Sequence, residues 1–156
     1  MSDVEQSTPV LPRPEVRPAE DWSFPQPRET VLPNGIRALV HDVPGQYVIS
    51  VRTSVPAALR HEPREVEGVA WIMARLLDEG TRTHGQRELS ELLERRGIAI
   101  GAGMSEASLG IDMDVPQRHL AEALELMTQC LTEPELAEGE VSRLRRTRLA
   151  AVSYTH

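Results

Sequence analysis

Trp71, Ala74 and Arg75 fall at positions i, i+3 and i+4 of a fourteen-residue stretch, Gly-Val-Ala-Trp-Ile-Met-Ala-Arg-Leu-Leu-Asp-Glu-Gly-Thr, over residues 68–81. Side chains four apart on a helix share one face, so a suitable pair can grip one metal ion from successive turns. The pair present cannot. An indole nitrogen is a donor only, and a guanidinium is permanently cationic and repels a dication, so neither offers the lone pair a metal requires. An ionisable residue between such ligands could take a proton from metal-bound water, and Ala74 has no such group. Two readings of the pair stay open. Trp71 and Arg75 either rigidify the helix or meet an acidic group of a partner, or else Trp71 fills a core hole while Arg75 points to solvent. A buried Arg75 would need a partner, because an unpaired buried charge is too costly.

The other chemistry-bearing residues form no recognisable constellation. His41, His61, His84 and His119 are scattered over an expected strand, turn, loop and helix start, with no metal-ligand spacing between any two. Ser105, Ser108 and Glu106 lack a histidine in any nucleophile signature. The single Cys130 cannot form an internal disulfide, and beside Leu131 it reads as a buried thiol. Arg143, Arg145, Arg146 and Arg148 form a basic run, yet the chain carries 17 basic against 24 acidic residues and a net charge of -7. A solvated helix face fits that balance better than nucleic acid. Residues 1–26 hold neither an apolar signal core nor an Arg-rich presequence, and nowhere do 18 apolar residues run together. The expectation is a cytoplasmic protein without membrane or nucleic-acid partners.

At 156 residues the chain is about one domain, large enough for a real core. Prolines cluster among polar residues over 1–27, which reads as a disordered arm. Residues 29–32 and 36–41 flank Asn34-Gly35, whose positive φ angles suit a tight hairpin turn. Pro44-Gly45 marks the next turn, and residues 46–55 alternate as a half-buried strand does. Glu62 and Glu65 precede a helix over 68–80, where their charge favours its N-terminus, and Gly80 is expected to end it. A shorter helix spans 87–96, with Leu89, Leu92 and Leu93 on one face. Two strands follow, over 98–104 and 108–115. Pro116 opens a core helix bearing Leu120, Leu124, Met127 and Leu131, and a last helix covers 141–152. The fold class is α+β: an antiparallel sheet with helices packed on one face, in the order β-β-β-α-α-β-β-α-α.

Residues 68–81 resemble the inverted zinc motif of the insulinase, pitrilysin and mitochondrial-processing-peptidase family, roughly G-x-A-H-F-x-E-H-x-x-F-x-G-T. Gly68, Ala70, Gly80 and Thr81 match it. Trp71 and Arg75 stand where the family has its zinc-binding histidines, and Ala74 stands where it has its catalytic glutamate. The family's third ligand, a glutamate far downstream, falls near residues 150–155, and no acid follows Glu140. Other blocks are similar. Val31-Leu-Pro-Asn-Gly-Ile36 resembles the family's opening hairpin, and Glu62 keeps the acid of its Gly-Ser-x-x-Glu turn. Residues 97–104 followed by Asp114-Val-Pro116 resemble a block in which Gly101 replaces an asparagine and Met104 a threonine. In active relatives that strand is an edge that receives substrate peptide, which makes Gly101, Ala102, Gly103 and Met104 the candidate peptide-binding strand. The two glycines weaken it.

The resemblance implies a metallopeptidase-like N-terminal domain over 28–156, incomplete at its C-terminus, with no catalytic residue, zinc or other cofactor. The function implied is that of a zinc-less subunit or half that completes a peptide-binding chamber with a zinc-bearing partner of the same family. The alternatives are an active zinc metalloendopeptidase or other peptide hydrolase using an unrecognised site, and a standalone binding module.

Overall fold

The computed structural model describes residues 15, 18, 19, 21–57 and 59–154, with 151–154 described by backbone alone. Most of the expected arm lies outside them. The chain divides into two compact units, one ending at Pro44 and the other beginning at Gly45.

The first unit holds an antiparallel hairpin, β1 (Arg28–Val31) and β2 (Arg37–Val40), with Glu29 facing Leu39 and Arg37 ion-paired to Glu29 at 2.6 Å. Its turn differs from the two-residue Asn-Gly type expected. Only Gly35 has positive φ (84°), while Gly35 N–H donates to Leu32 O and Leu32 N–H to Ile36 O, each at 2.8 Å. Pro33 explains the change. Its ring fixes φ for the second position of a type I turn, so the loop takes three residues and leaves the left-handed one to glycine.

The second unit is built on a three-stranded antiparallel sheet of β3 (Val48–Val55), β4 (Ala99–Met104) and β5 (Leu109–Pro116), in the order β3-β5-β4. The hairpin forms its own two-stranded sheet and is not part of this one. Alternation sorts the faces. Leu109, Ile111, Met113 and Val115 of β5 are buried, and Ile49, Val51, Ile100 and Ala102 pack around them. Complete burial of a side chain of this size contributes about 1.5–3 kcal/mol, which makes the central strand the anchor of the unit. On the opposite face Arg52 lies 3.7 Å from Asp112 and 3.3 Å from Asp114. Ser50 and Arg52 hold the Asp114 carboxyl below the usual range.

Four helices complete the expected order: α1 (Val69–Leu76), α2 (Gln86–Arg96), α3 (Leu120–Thr132) and α4 (Glu138–Tyr154). Several expectations need correction. Helix α1 is shorter than expected and α2 is the longer of the two. Gly80 does not cap α1. A Cβ there would lie 2.7 Å from Glu135 Oε2 and 3.1 Å from the Gln86 backbone nitrogen, so glycine is favoured by close approach rather than by backbone angle. Pro116 closes β5 and precedes a 3-10 turn, Gln117–His119, before α3 begins. The buried stripe of α3 is Ala123, Leu126, Met127 and Cys130, while Leu124 remains 39% exposed. Both stripes have helical period, and the sheet selects the one that includes the small residue Ala123.

Candidate functional site

The approach to α1 is set by Glu62. Its carboxylate accepts hydrogen bonds from the N–H groups of Gly68 (2.7 Å) and Ala70 (2.6 Å), and these bonds hold its pKa below the usual value. It thereby satisfies donors that the first helical turn leaves without partners. No hydrogen bond or ion pair of Glu65 accompanies this among the described residues. Gly68 sits at φ 99°, a left-handed conformation that disfavours any residue with a Cβ.

The far end of α1 is fixed as firmly. Gly80 O accepts from Glu135 N–H (3.0 Å), Arg82 N–H donates to Glu133 O (2.8 Å), and buried Thr81 pairs with Pro134. Thr81 Oγ1 accepts from His84 N–H at 3.0 Å. Thus Gly68, Ala70, Gly80 and Thr81, the four motif positions retained in the sequence, all serve to hold the helix in place.

The replaced positions behave differently. Ala74 is fully buried and packs with Leu77 and Leu109, flanked by Met73, Ala102 and Met104. Trp71 is half-buried and belongs to neither core cluster, and Arg75 is exposed. The guanidinium of Arg75 lies 5.6 Å from the indole centroid, and that of Arg148 on α4 lies 4.9 Å from it. Arg75 is exposed, as in the reading in which it points to solvent, while the indole lies outside the core within reach of two guanidinium groups, a favourable contact for its electron-rich face. Arg148 was legible only as part of a basic run. The usable signal was its spacing of four from Leu144, which is buried and sets the face of α4 turned inward. The third family ligand is expected near residues 150–155, and the side chains from 151 onward lie outside the described ones.

Beside α1, strand β4 pairs with β5 on one side, and no described strand pairs with its other side. Ser105 N–H donates to Ser108 O at 2.8 Å, which phases the ladder so that Met104, Ala102 and Ile100 turn their backbone groups toward the open edge. The Asp78 carboxylate faces the Ala102 N–H. Desolvation raises its pKa, with Glu79 adding to the rise and Arg75 and the Ala102 N–H opposing it. Gly101 and Gly103 are exposed with no neighbour near the position of a Cβ. Arg75, Asp78, Ala102 and Arg143 line a cavity of about 210 Å³ between α1, α4 and this edge. Cys130 is buried, and desolvation together with Asp78 pushes its pKa up to about 11.

The donor set does not fit zinc. At the helix face where two ligands and a base are required, the chain offers an indole, a methyl and a guanidinium. Among the described residues no group of three or more His, Cys, Asp or Glu is arranged to hold a metal ion. No helix among them is long and apolar enough to cross a membrane.

Sheet, clamped helix and open edge define an α+β domain of the metallopeptidase type. A sequence profile described as Insulinase (Peptidase family M16) matches residues 37–155, and the chain belongs to that family. Mitochondrial-processing peptidase subunit alpha of Neurospora crassa is 30% identical over 72% of this chain, which spans 19% of that protein. A protein of Helicobacter pylori called a non-peptidase homolog, YmxG, is 26% identical over 54% of this chain and is spanned to 20% of its length. A crystal structure of a peptidase M16 inactive domain from Pseudomonas fluorescens shares the fold, with a TM-score of 0.76 and 17% identity over 82% of this chain and 31% of that one.

Proposed function

We propose that this chain is a non-catalytic member of the insulinase family that completes a peptide-binding chamber with a zinc-bearing partner of the same family. The observation that carries the reading is the division of labour along α1. Every retained motif residue holds the helix frame, while the positions that would perform chemistry carry Trp71, Ala74 and Arg75. The open edge of β4 supports a peptide-binding role, since adding a strand requires backbone groups and not particular side chains. The names of relatives support pairing, because the Neurospora protein is called a subunit, and a non-catalytic role is in keeping with the Helicobacter protein's name.

The test mixes the purified chain with a zinc-bearing family subunit and measures complex formation and cleavage of a peptide substrate. The chain alone should cleave nothing, and the mixture should cleave faster than the zinc subunit alone. Unchanged cleavage and no complex would remove the proposal.

A further inference from the structure

A second cavity, of about 530 Å³, opens at the start of α1 and is lined by Arg60, Arg64, Trp71 and Arg148 together with Glu62 and Glu67. Its charge is unbalanced, with three guanidinium groups against two carboxylates. One of those carboxylates, Glu62, already accepts from two backbone N–H groups. Among the described residues none of Arg60, Arg64 and Arg148 is ion-paired with an acid. Arg60 Nε is directed at the neighbouring His61 Nε2 at 3.3 Å, and Arg148 lies over Trp71 with Arg75 also near the ring. Two like charges gathered near one indole repel each other, and an arriving anion would relieve that repulsion. Guanidinium groups also present paired donors that match a carboxylate.

We propose that this cavity binds the Asp and Glu side chains of an acidic peptide segment, with Arg60, Arg64 and Arg148 as its donors and Trp71 as the surface against which the peptide lies. The inference rests on the peptide-binding reading above and adds a charge preference to it. The cavity adjoins the helix face where active relatives do their chemistry, so a family member without zinc would select peptides there by charge. The chain is acidic overall, so the attraction for an anionic group is local to these guanidinium groups and works against the long-range field.

The test uses the whole chain and two fluorescein-labelled peptides that differ only in Glu against Gln, with affinity read by anisotropy at low and moderate salt. The Glu peptide should bind at least tenfold more tightly at low salt, with the difference shrinking as salt rises. In the variant R60Q/R64Q, made on exposed turns and checked for native circular dichroism, that preference should fall severalfold while the Gln peptide binds as before. R148Q should act in the same direction. Equal binding of both peptides to the unmodified chain, or a preference that survives all three substitutions, overturns the charge assignment and leaves peptide binding standing. Failure of both peptides to bind overturns both readings. Displacement by inorganic phosphate as effective as by unlabelled Glu peptide would reassign the cavity to free anions and overturn the peptide assignment.

Discussion

Restoring the family's glutamate at position 74 should damage this chain rather than repair it. Ala74 is fully buried against Leu77 and Leu109, with Met73, Ala102 and Met104 around it. A glutamate placed there must leave water without a positive partner, so it stays protonated and its pKa rises. A rise of about three units costs about 4 kcal/mol at neutral pH, and forcing the larger side chain into packed surroundings adds about 1–3 kcal/mol. Together these approach the whole stability of an ordinary domain, about 5–15 kcal/mol. The assay is urea unfolding of A74E beside A74Q, which carries a similar volume without the charge. The pH dependence has a definite sign. Above the unfolded glutamate's pKa of about 4.3 the unfolded chain releases a proton that the folded chain keeps, so A74E loses stability as pH rises toward its elevated folded value. Below pH 4 both states are protonated and A74E and A74Q should converge. Equal stability of the two variants at pH 8 would show that position 74 opens to solvent, and the packing argument would be wrong.

Other expectations follow from particular contacts. Cys130, with its pKa pushed up to about 11 by burial and Asp78, should react with a thiol reagent at pH 8 more than a hundredfold more slowly than in the unfolded chain, because only about 0.1% is thiolate. A double-mutant cycle on Trp71→Ala and Arg148→Ala, read by urea midpoints, should show a coupling of about 0.5–1 kcal/mol; zero coupling would mean that the ring and guanidinium do not interact. Gly80→Ala should cost about 1–3 kcal/mol through contact with the Gln86 backbone. Leu136 holds φ at 46° and is 45% exposed, so Leu136→Gly should raise stability by up to about 1 kcal/mol, measured by thermal unfolding.

The order of strands and helices was legible because hydrophobic period and turn residues carry it locally, as the alternation of β3 and β5 illustrates. The partnering of elements was less so. Nothing local in residues 29–41 says that the hairpin forms a separate sheet, since sheet membership depends on residues far along the chain. Helix α3 contains two stripes of helical period, and only the sheet it packs on decides between Leu124 and Ala123. For the site, the absence of metal donors at Trp71, Ala74 and Arg75 was readable from side-chain chemistry alone, and so was the helix-start role of Glu62. The position of Arg148 over Trp71 was not, because it depends on how α4 crosses α1. Arg60 and Arg64 lie on short 3-10 turns that carry no periodic signal, so their convergence with Arg148 appears only in three dimensions.

The most direct test of the central claim is the metal content of the purified chain after equilibration with excess zinc and removal of unbound ion. With an indole, a methyl and a guanidinium on the ligand-bearing face, the chain should retain no stoichiometric zinc, and W71A and R75A should leave that result unchanged. One tightly held zinc per chain, lost on substitution along α1, would contradict the account.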